Sequence, residues 1–251
     1  MQMSETKKIY FASDFHLGSY PAEKSLSRER EIVRWLDHIK TDAKELYLMG
    51  DVFDFWFEYQ TVVPKGYVRF LGKLAELADM GIQLTFFKGN HDMWMFGYLR
   101  DELGATIIDN ELTIERDNTS FYLHHGDGLG DGDAKYKLLK KIFRSKMCQW
   151  LFARLHPNLG IGIAQRWSRS SRAANDTDEI FLGEDREWLI NYAKGVEANQ
   201  HFDFYVFGHR HLAYDIQLAN NCRVLNLGEW FKNQTYAVWD GAQLELKYWQ
   251  S

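Results

Sequence analysis

Six short apolar runs, each followed closely by Gly, Asp or His, limit what this chain can fold into. They are Lys8–Ala12, Glu45–Met49, Gln83–Phe87, Ser120–Leu123, Asp203–Phe207 and Cys222–Leu227. Runs of this length, rich in aromatic and aliphatic residues and closed by turn formers, read as buried strands. Helical patterns separate the early ones. Arg28 to Ile39 puts Ile32, Trp35, Leu36 and Ile39 on one face, and Tyr67 to Leu77 does the same with Phe70, Leu71, Leu74 and Leu77. Strand and helix in alternation predict parallel βαβ units, hence an α/β fold. Near the end, Thr235–Trp239 and Gln243–Trp249 flank Asp240-Gly241 and predict a hairpin. At 251 residues the chain suits one α/β domain over 1–251 that carries a sizeable insertion.

That insertion is expected at about 129–200, where the rhythm breaks. Leu138, Leu139, Ile142, Phe143, Met147, Trp150, Leu151 and Leu155 form a helical stripe stopped by Pro157. A second helix is expected over Ile161–Ala174 and a third over Glu184–Ala198. Charge is concentrated here too. Ala134 to Asn175 contains ten Lys and Arg and no acid, although the whole chain carries −5. Such a concentration suits an anionic partner; a solvated face on a packed lid is the plainer alternative. Nine Trp exceed what a core of this size needs, so some could serve a binding or lipid-facing surface.

Two cysteines, Cys148 and Cys222, give neither a disulfide framework nor a CxxC metal signature, and a reducing cytosol is the simpler expectation. The first residues lack the apolar core of a secretory signal, and no apolar stretch is long enough to span a bilayer.

Five motifs fall at the ends of the expected strands: Asp14-Phe15-His16, Gly50-Asp51-Val52-Phe53-Asp54, Gly89-Asn90-His91-Asp92, His125-Gly126-Asp127 and Gly208-His209-Arg210-His211. Open α/β sheets bind ligands at the carboxyl ends of their strands, so the placement implies one shared site. Carboxylate, amide and imidazole donors suit borderline divalent ions. A lone buried histidine is commonly a satisfied core residue. Here, however, five of the nine histidines lie inside the motifs, with His38, His124, His156 and His201 outside, and the metal reading prevails.

In these blocks and their order the chain resembles the calcineurin-like metallophosphoesterase superfamily. The resemblance implies a β-sandwich flanked by helices and a centre of two divalent ions, which activate a water and neutralise phosphoryl charge. It implies that Asp14, His16 and His211 hold one ion, that Asn90, His125 and His209 hold the other, and that Asp51 bridges them. Asp54 is expected to orient its neighbours. His91 would donate a proton to the leaving oxygen or stabilise the transition state, paired with Asp92. Mn²⁺ is the expected metal, with Fe²⁺, Zn²⁺ or Co²⁺ as alternatives.

Four further features resemble the UDP-2,3-diacylglucosamine hydrolases, pyrophosphatases of lipid A synthesis: Asp51 to Trp56, His125 to Asp133 and Tyr136, Ser171 to Asn175, and the inserted helices. The implied reaction releases UMP and 2,3-diacylglucosamine 1-phosphate from a lipid-linked nucleotide. Asp133, Tyr136, Ser171, Arg172 and Asn175 are the implied substrate contacts. The apolar stripe would receive acyl chains, and the basic residues would hold the enzyme, from the cytoplasm, on the anionic inner face of the membrane. The chain departs from that pattern at His91, where some members have Arg, and at Asp176-Thr177-Asp178, where a Lys is common. A phosphodiesterase or nuclease of the same superfamily is the alternative, and a non-catalytic scaffold is a third reading. Basic residues interleaved with a continuous apolar stripe speak against nucleic acid as a specific partner.

Overall fold

Strand and helix alternate from the start, so the first half of the chain winds as parallel βαβ units. The structure, a computed structural model, describes residues 7–130, 134–174 and 180–250, with the side chains of 134–135 and 170–174 outside that description. The first half comprises β1 (Lys8–Ala12), α1 (Ala22–Ile39), β2 (Ala43–Leu48), α2 (Val68–Asp79), β3 (Gln83–Phe87), α3 (Tyr98–Leu103) and β4 (Thr106–Ile108). Next come β5 (Leu112–Arg116) and β6 (Thr119–His124), then the helices α4 (Ala134–Arg144), α5 (Lys146–Phe152), α6 (Pro157–Ala174) and α7 (Trp188–Glu197). The chain closes with β7 (Phe204–Phe207), β8 (Ala213–Gln217), β9 (Arg223–Leu227), β10 (Thr235–Trp239) and β11 (Leu244–Tyr248).

The strands form two sheets. One has the order β11-β10-β1-β2-β3-β4, the other β5-β6-β7-β9-β8. Strands β1 to β4 pair in parallel, as do β6, β7 and β9, while β10 and β11 form the expected antiparallel hairpin. The sheets face one another across an apolar layer that includes Phe11, Tyr47 and Phe87 from the first and Phe121, Val206 and Leu225 from the second. Glu45 and Arg116 clamp the sheets together, with Arg116 donating from Nε and Nη2 to the two carboxylate oxygens at 2.8 Å each.

Helices cover the outer faces. Ile32, Trp35, Leu36 and Ile39 of α1 and Phe70, Leu74 and Leu77 of α2 pack on the first sheet. Burying a side chain the size of Trp35 is worth several kcal/mol, and its truncation to Ala costs roughly 3–5 kcal/mol. Helix α7 lies inside the segment expected as an insertion. Its Leu189, Ile190 and Ala193 are nevertheless buried with Tyr122, Tyr205 and Phe207 against the second sheet, so it is a layer of the core.

The cap therefore consists of α4, α5 and α6. The expected single stripe from Leu138 to Leu155 is two helices, because the Ser145 hydroxyl accepts from Cys148 N at 3.2 Å and caps α5. Pro157 is the first residue of α6, where its missing N–H costs nothing, and the preceding helix already ends at Phe152. Phe143, Phe152, Ile161 and Ala164 pack on Phe55, Phe57, Met93 and Trp94 of the core loops. No helix among the described residues is long and apolar enough to cross a membrane.

Candidate metal centre

Each motif begins where a strand ends. Asp14 follows β1, Asp51 follows β2 and Asn90 follows β3 in the first sheet; His125 follows β6 and His209 follows β7 in the second. Asp14, His16, Asp51 and His209 adopt left-handed backbone, with φ of 57°, 43°, 50° and 64°. Such residues cost on the order of 1–3 kcal/mol each and persist only where their surroundings fix them. Backbone bonds do so here. His16 N donates to Asp51 O at 2.8 Å, Asp14 N to Gly50 O at 3.1 Å, and Gly208 N to His125 O at 2.8 Å. Glycine is required where the loops touch. A Cβ on Gly89 would collide with the Asp51 carboxylate, and one on Gly50 (φ 100°) with the His125 ring.

Three groups of donor atoms converge: Asp14, His16 and His211; Asp51, His125 and His209; and, between them, His16, Asp51 and His91. The Asp51 Oδ2 atom lies 3.7 Å from His16 Nε2 and 3.6 Å from His125 Nε2, facing both outer groups. Its Oδ1 accepts from His91 N at 2.8 Å. Asn90 Oδ1 is 3.3 Å from His125 Nε2. His125 Nδ1 donates to Met49 O at 2.7 Å, which leaves Nε2 facing the centre. His124, on the other face of β6, accepts from Gly126 N, and burial pulls its pKa down to about 3.

These residues fit divalent ions. Asp14 Oδ1 is buried without a hydrogen-bond donor, 3.4 Å from His211 Nε2 and 3.6 Å from His16 Nε2. A carboxylate oxygen so placed, beside two imidazole nitrogens, suits a divalent cation. Burial raises the Asp14 pKa, but its histidine neighbours more than offset that and hold it well below the usual range. Burial lowers His209 to about 4, keeping its ring neutral. Burial also disfavours a charged His125, yet the carboxylates of Asp51 and Asp14 raise it to about 10. A cation there would displace that proton.

His91 stands at the edge of this centre. Burial lowers its pKa to about 4. Its Nδ1 lies 3.1 Å from Asp54 O, and Asp54 Oδ1 is 3.5 Å from His16 Nδ1. The expected pair with Asp92 does not form. Both Asp92 oxygens are engaged by backbone, accepting from Gly89 N at 2.8 Å and Phe53 N at 3.2 Å. Asp92 is a brace between two motif loops, and burial together with the Asp51 charge raises its pKa to about 7.

Of the expected substrate contacts, Asp133 and Asn175 and the side chains of Ser171 and Arg172 lie outside the described residues. Tyr136 donates to Asp127 Oδ2 at 2.6 Å, and Lys140 Nζ meets the same oxygen at 2.6 Å, so both fasten α4 to the loop after β6. Arg144 likewise donates to Asn110 Oδ1 at 2.7 Å and Asp109 O at 2.6 Å. Part of the basic stretch is thus anchorage. Lys141, Lys146, Arg154, Arg166 and Arg169 remain exposed.

A pocket of about 280 Å³ opens beside His91, lined by Phe55, Trp94, Leu139, Phe143, Phe152 and Trp167 among others. Trp150, 56% exposed, does not line it.

Arg28 escaped the sequence reading. It donates to the carbonyls of Phe15 (2.6 Å) and His16 (2.8 Å) and lies under the Phe231 ring, which covers His16 and His211. The signal was present: Arg28 occupies the same helix face as Ile32, Trp35 and Leu36, and an arginine on an apolar face needs a reason.

A family model of calcineurin-like phosphoesterases matches residues 7–213. The chain belongs to the calcineurin-like phosphoesterase family. Among curated members, a UDP-2,3-diacylglucosamine hydrolase of Porphyromonas gingivalis is 42% identical, over 96% of this chain and 97% of that protein. Proteins of the same name from Haemophilus influenzae and Shewanella baltica are 29% and 23% identical, each over 90% of this chain. They cover 92% and 90% of those proteins' own lengths. The family's two-sheet α/β architecture and its use of divalent metals agree with the geometry above.

Proposed function

We propose that this phosphohydrolase cleaves the pyrophosphate of UDP-2,3-diacylglucosamine, releasing UMP and 2,3-diacylglucosamine 1-phosphate. The observation that carries the reading is the apolar pocket, which begins at Asn90 and His91 and runs beneath the cap. A phosphoester at the centre would have an acyl-sized apolar cavity beside it. The relatives' printed name supports the same substrate.

In this reading Asp14, His16 and His211 hold one divalent ion, Asn90, His125 and His209 hold a second, and Asp51 bridges, with Mn²⁺ the leading candidate. When bound, such ions supply Lewis acidity, activating a water and neutralising phosphoryl charge. The protein supplies the rest. Asp51 presents one oxygen toward both ligand groups. His91 presents its ring to the leaving oxygen, for proton donation or charge stabilisation. Leu139, Phe143 and Trp167 exclude water from the acyl side. On the outer cap, exposed Leu138, Met147, Trp150 and Leu151 beside Lys141, Lys146 and Arg154 suit docking on the anionic inner face of the cytoplasmic membrane.

The test is a nucleotide- and phosphate-release assay with Mn²⁺, comparing UDP-2,3-diacylglucosamine with cyclic nucleotides, bis(p-nitrophenyl) phosphate and single-stranded DNA. Preferred release of UMP from the acylated substrate is expected. Preferred DNA cleavage would replace this reading with a nuclease.

A further inference from the structure

Among its described side chains, helix α6 carries one buried hydroxyl on the face it turns to the pocket. Ile163, Ala164 and Trp167 line the cavity, and Ser168, on the same face, is 5% exposed. The Ser168 Oγ atom lies 3.1 Å from His91 Nδ1, the nitrogen that is also 3.1 Å from Asp54 O. A carbonyl oxygen can only accept, so the proton of a neutral ring must sit on Nδ1. Ser168 Oγ is then a second acceptor for that N–H. The two oxygens fix the plane of the ring and hold Nδ1–H in either charge state, so Nε2 is left to the reacting centre, as an acceptor in the neutral ring and as the donor once the ring is protonated.

We infer that Ser168 is a positioning residue for His91, supplied by the cap rather than by the motif loops. It does not touch the reacting atoms; it acts through the imidazole. The two oxygens come from different regions, because Asp54 O belongs to the loop after β2 and Ser168 to the cap. One helix face consequently holds both the wall of the acyl pocket and the orientation of His91. The inference rests on the proposed function for its acylated substrate, and for its mechanism only on His91 acting in hydrolysis.

The experiment is a double-mutant cycle on the metal-loaded full chain, with Ser168→Ala, His91→Ala and their combination, and Ser168→Thr as the conservative control. Each is assayed on UDP-2,3-diacylglucosamine and on bis(p-nitrophenyl) phosphate, with bound metal measured in parallel. His91→Ala is expected to lower kcat by roughly 10²–10⁴, the usual worth of a positioned acid or charge-stabilising group. Ser168→Ala is expected to lower kcat about tenfold, the weight of one hydrogen bond, with KM and metal content within about threefold of wild type. Ser168→Thr keeps the hydroxyl and should stay within about threefold throughout. In the His91→Ala background the serine change should cost less than about twofold, because its effect runs through the ring.

Full additivity would make Ser168 a packing residue and overturn the inference. So would a loss confined to KM, or an unaffected rate after His91→Ala on both substrates. If the wild-type chain fails to cleave the acylated substrate, the proposed function falls, and the cycle on the simple diester still decides the role of Ser168.

Discussion

The motif loops and the cap solve opposite problems with the same short polypeptide. In the loops, Asp14, Asp51 and His125 are almost completely buried and their neighbours are bonded through backbone atoms, so left-handed residues are held in place. In the cap, Leu138, Met147, Trp150 and Trp167 remain more than half exposed, and a few anchors, Lys140, Arg144 and Phe152, tie it down. Chemistry that needs fixed donor atoms sits on the over-determined part. In the proposed reading, recognition of a flexible apolar substrate would sit on the part with surface to spare.

The sharpest way to separate the two is to damage one and read the other. Asp51→Ala should abolish hydrolysis of every substrate and reduce bound metal from two ions toward one or none, measured by assay and metal analysis. Two ions per chain with near-normal turnover would remove Asp51 from its bridging role. Replacing Leu139 and Phe143 with Ser should lower kcat/KM for the acylated substrate by roughly 10²-fold, since each buried CH₂ is worth about 0.8 kcal/mol. Hydrolysis of bis(p-nitrophenyl) phosphate should stay within about threefold. Equal loss on both would make the pocket wall ordinary core.

Converting Lys141 and Lys146 to Gln tests the outer surface. At ~1 kcal/mol per basic residue near an anionic bilayer, vesicle affinity should fall roughly 30-fold at low salt and less as salt rises. An unchanged affinity would leave those side chains merely solvated. The smallest effect belongs to the sheet clamp. Burial opposes the charged form of Glu45, but Arg116 more than offsets this and lowers its pKa. The clamp therefore stabilises the fold above the unfolded value of about 4.3, and its contribution is lost as pH falls through the folded value. Glu45→Gln should cost about 1–2 kcal/mol near pH 7, and the gap from wild type should close on acidification, as denaturant melts would show.

The motif spacing made most of the centre legible, because a strand end fixes where its next residues point. Strands β1, β3 and β10 match their expected bounds, and the other five expected strands differ by one or two residues at one or both ends. The missed strands β4, β5 and β8 lie at sheet edges. There one face meets water, as in the alternating burial of Leu112–Arg116, so no continuous apolar run marks them. Asp92 was misread because a carboxylate that braces backbone N–H groups is spelled the same as one that serves a histidine. Ser168 gave no signal at all: a serine among Arg and Ser on a helix acquires its role only when the cap lies over His91.

The two facing sheets each contribute donors to both candidate ion sites: Asp14 and His16 against His211, and Asn90 and Asp51 against His125 and His209. An ion held there is a rivet through both layers, bound by the assembled sandwich and by little else. Its affinity is then converted directly into resistance to heat. A hundredfold excess over Kd adds about 2.7 kcal/mol per ion, roughly 5–10 °C in Tm for a chain of this size. A melting curve recorded across metal concentration would read the affinity of the centre without any substrate at all.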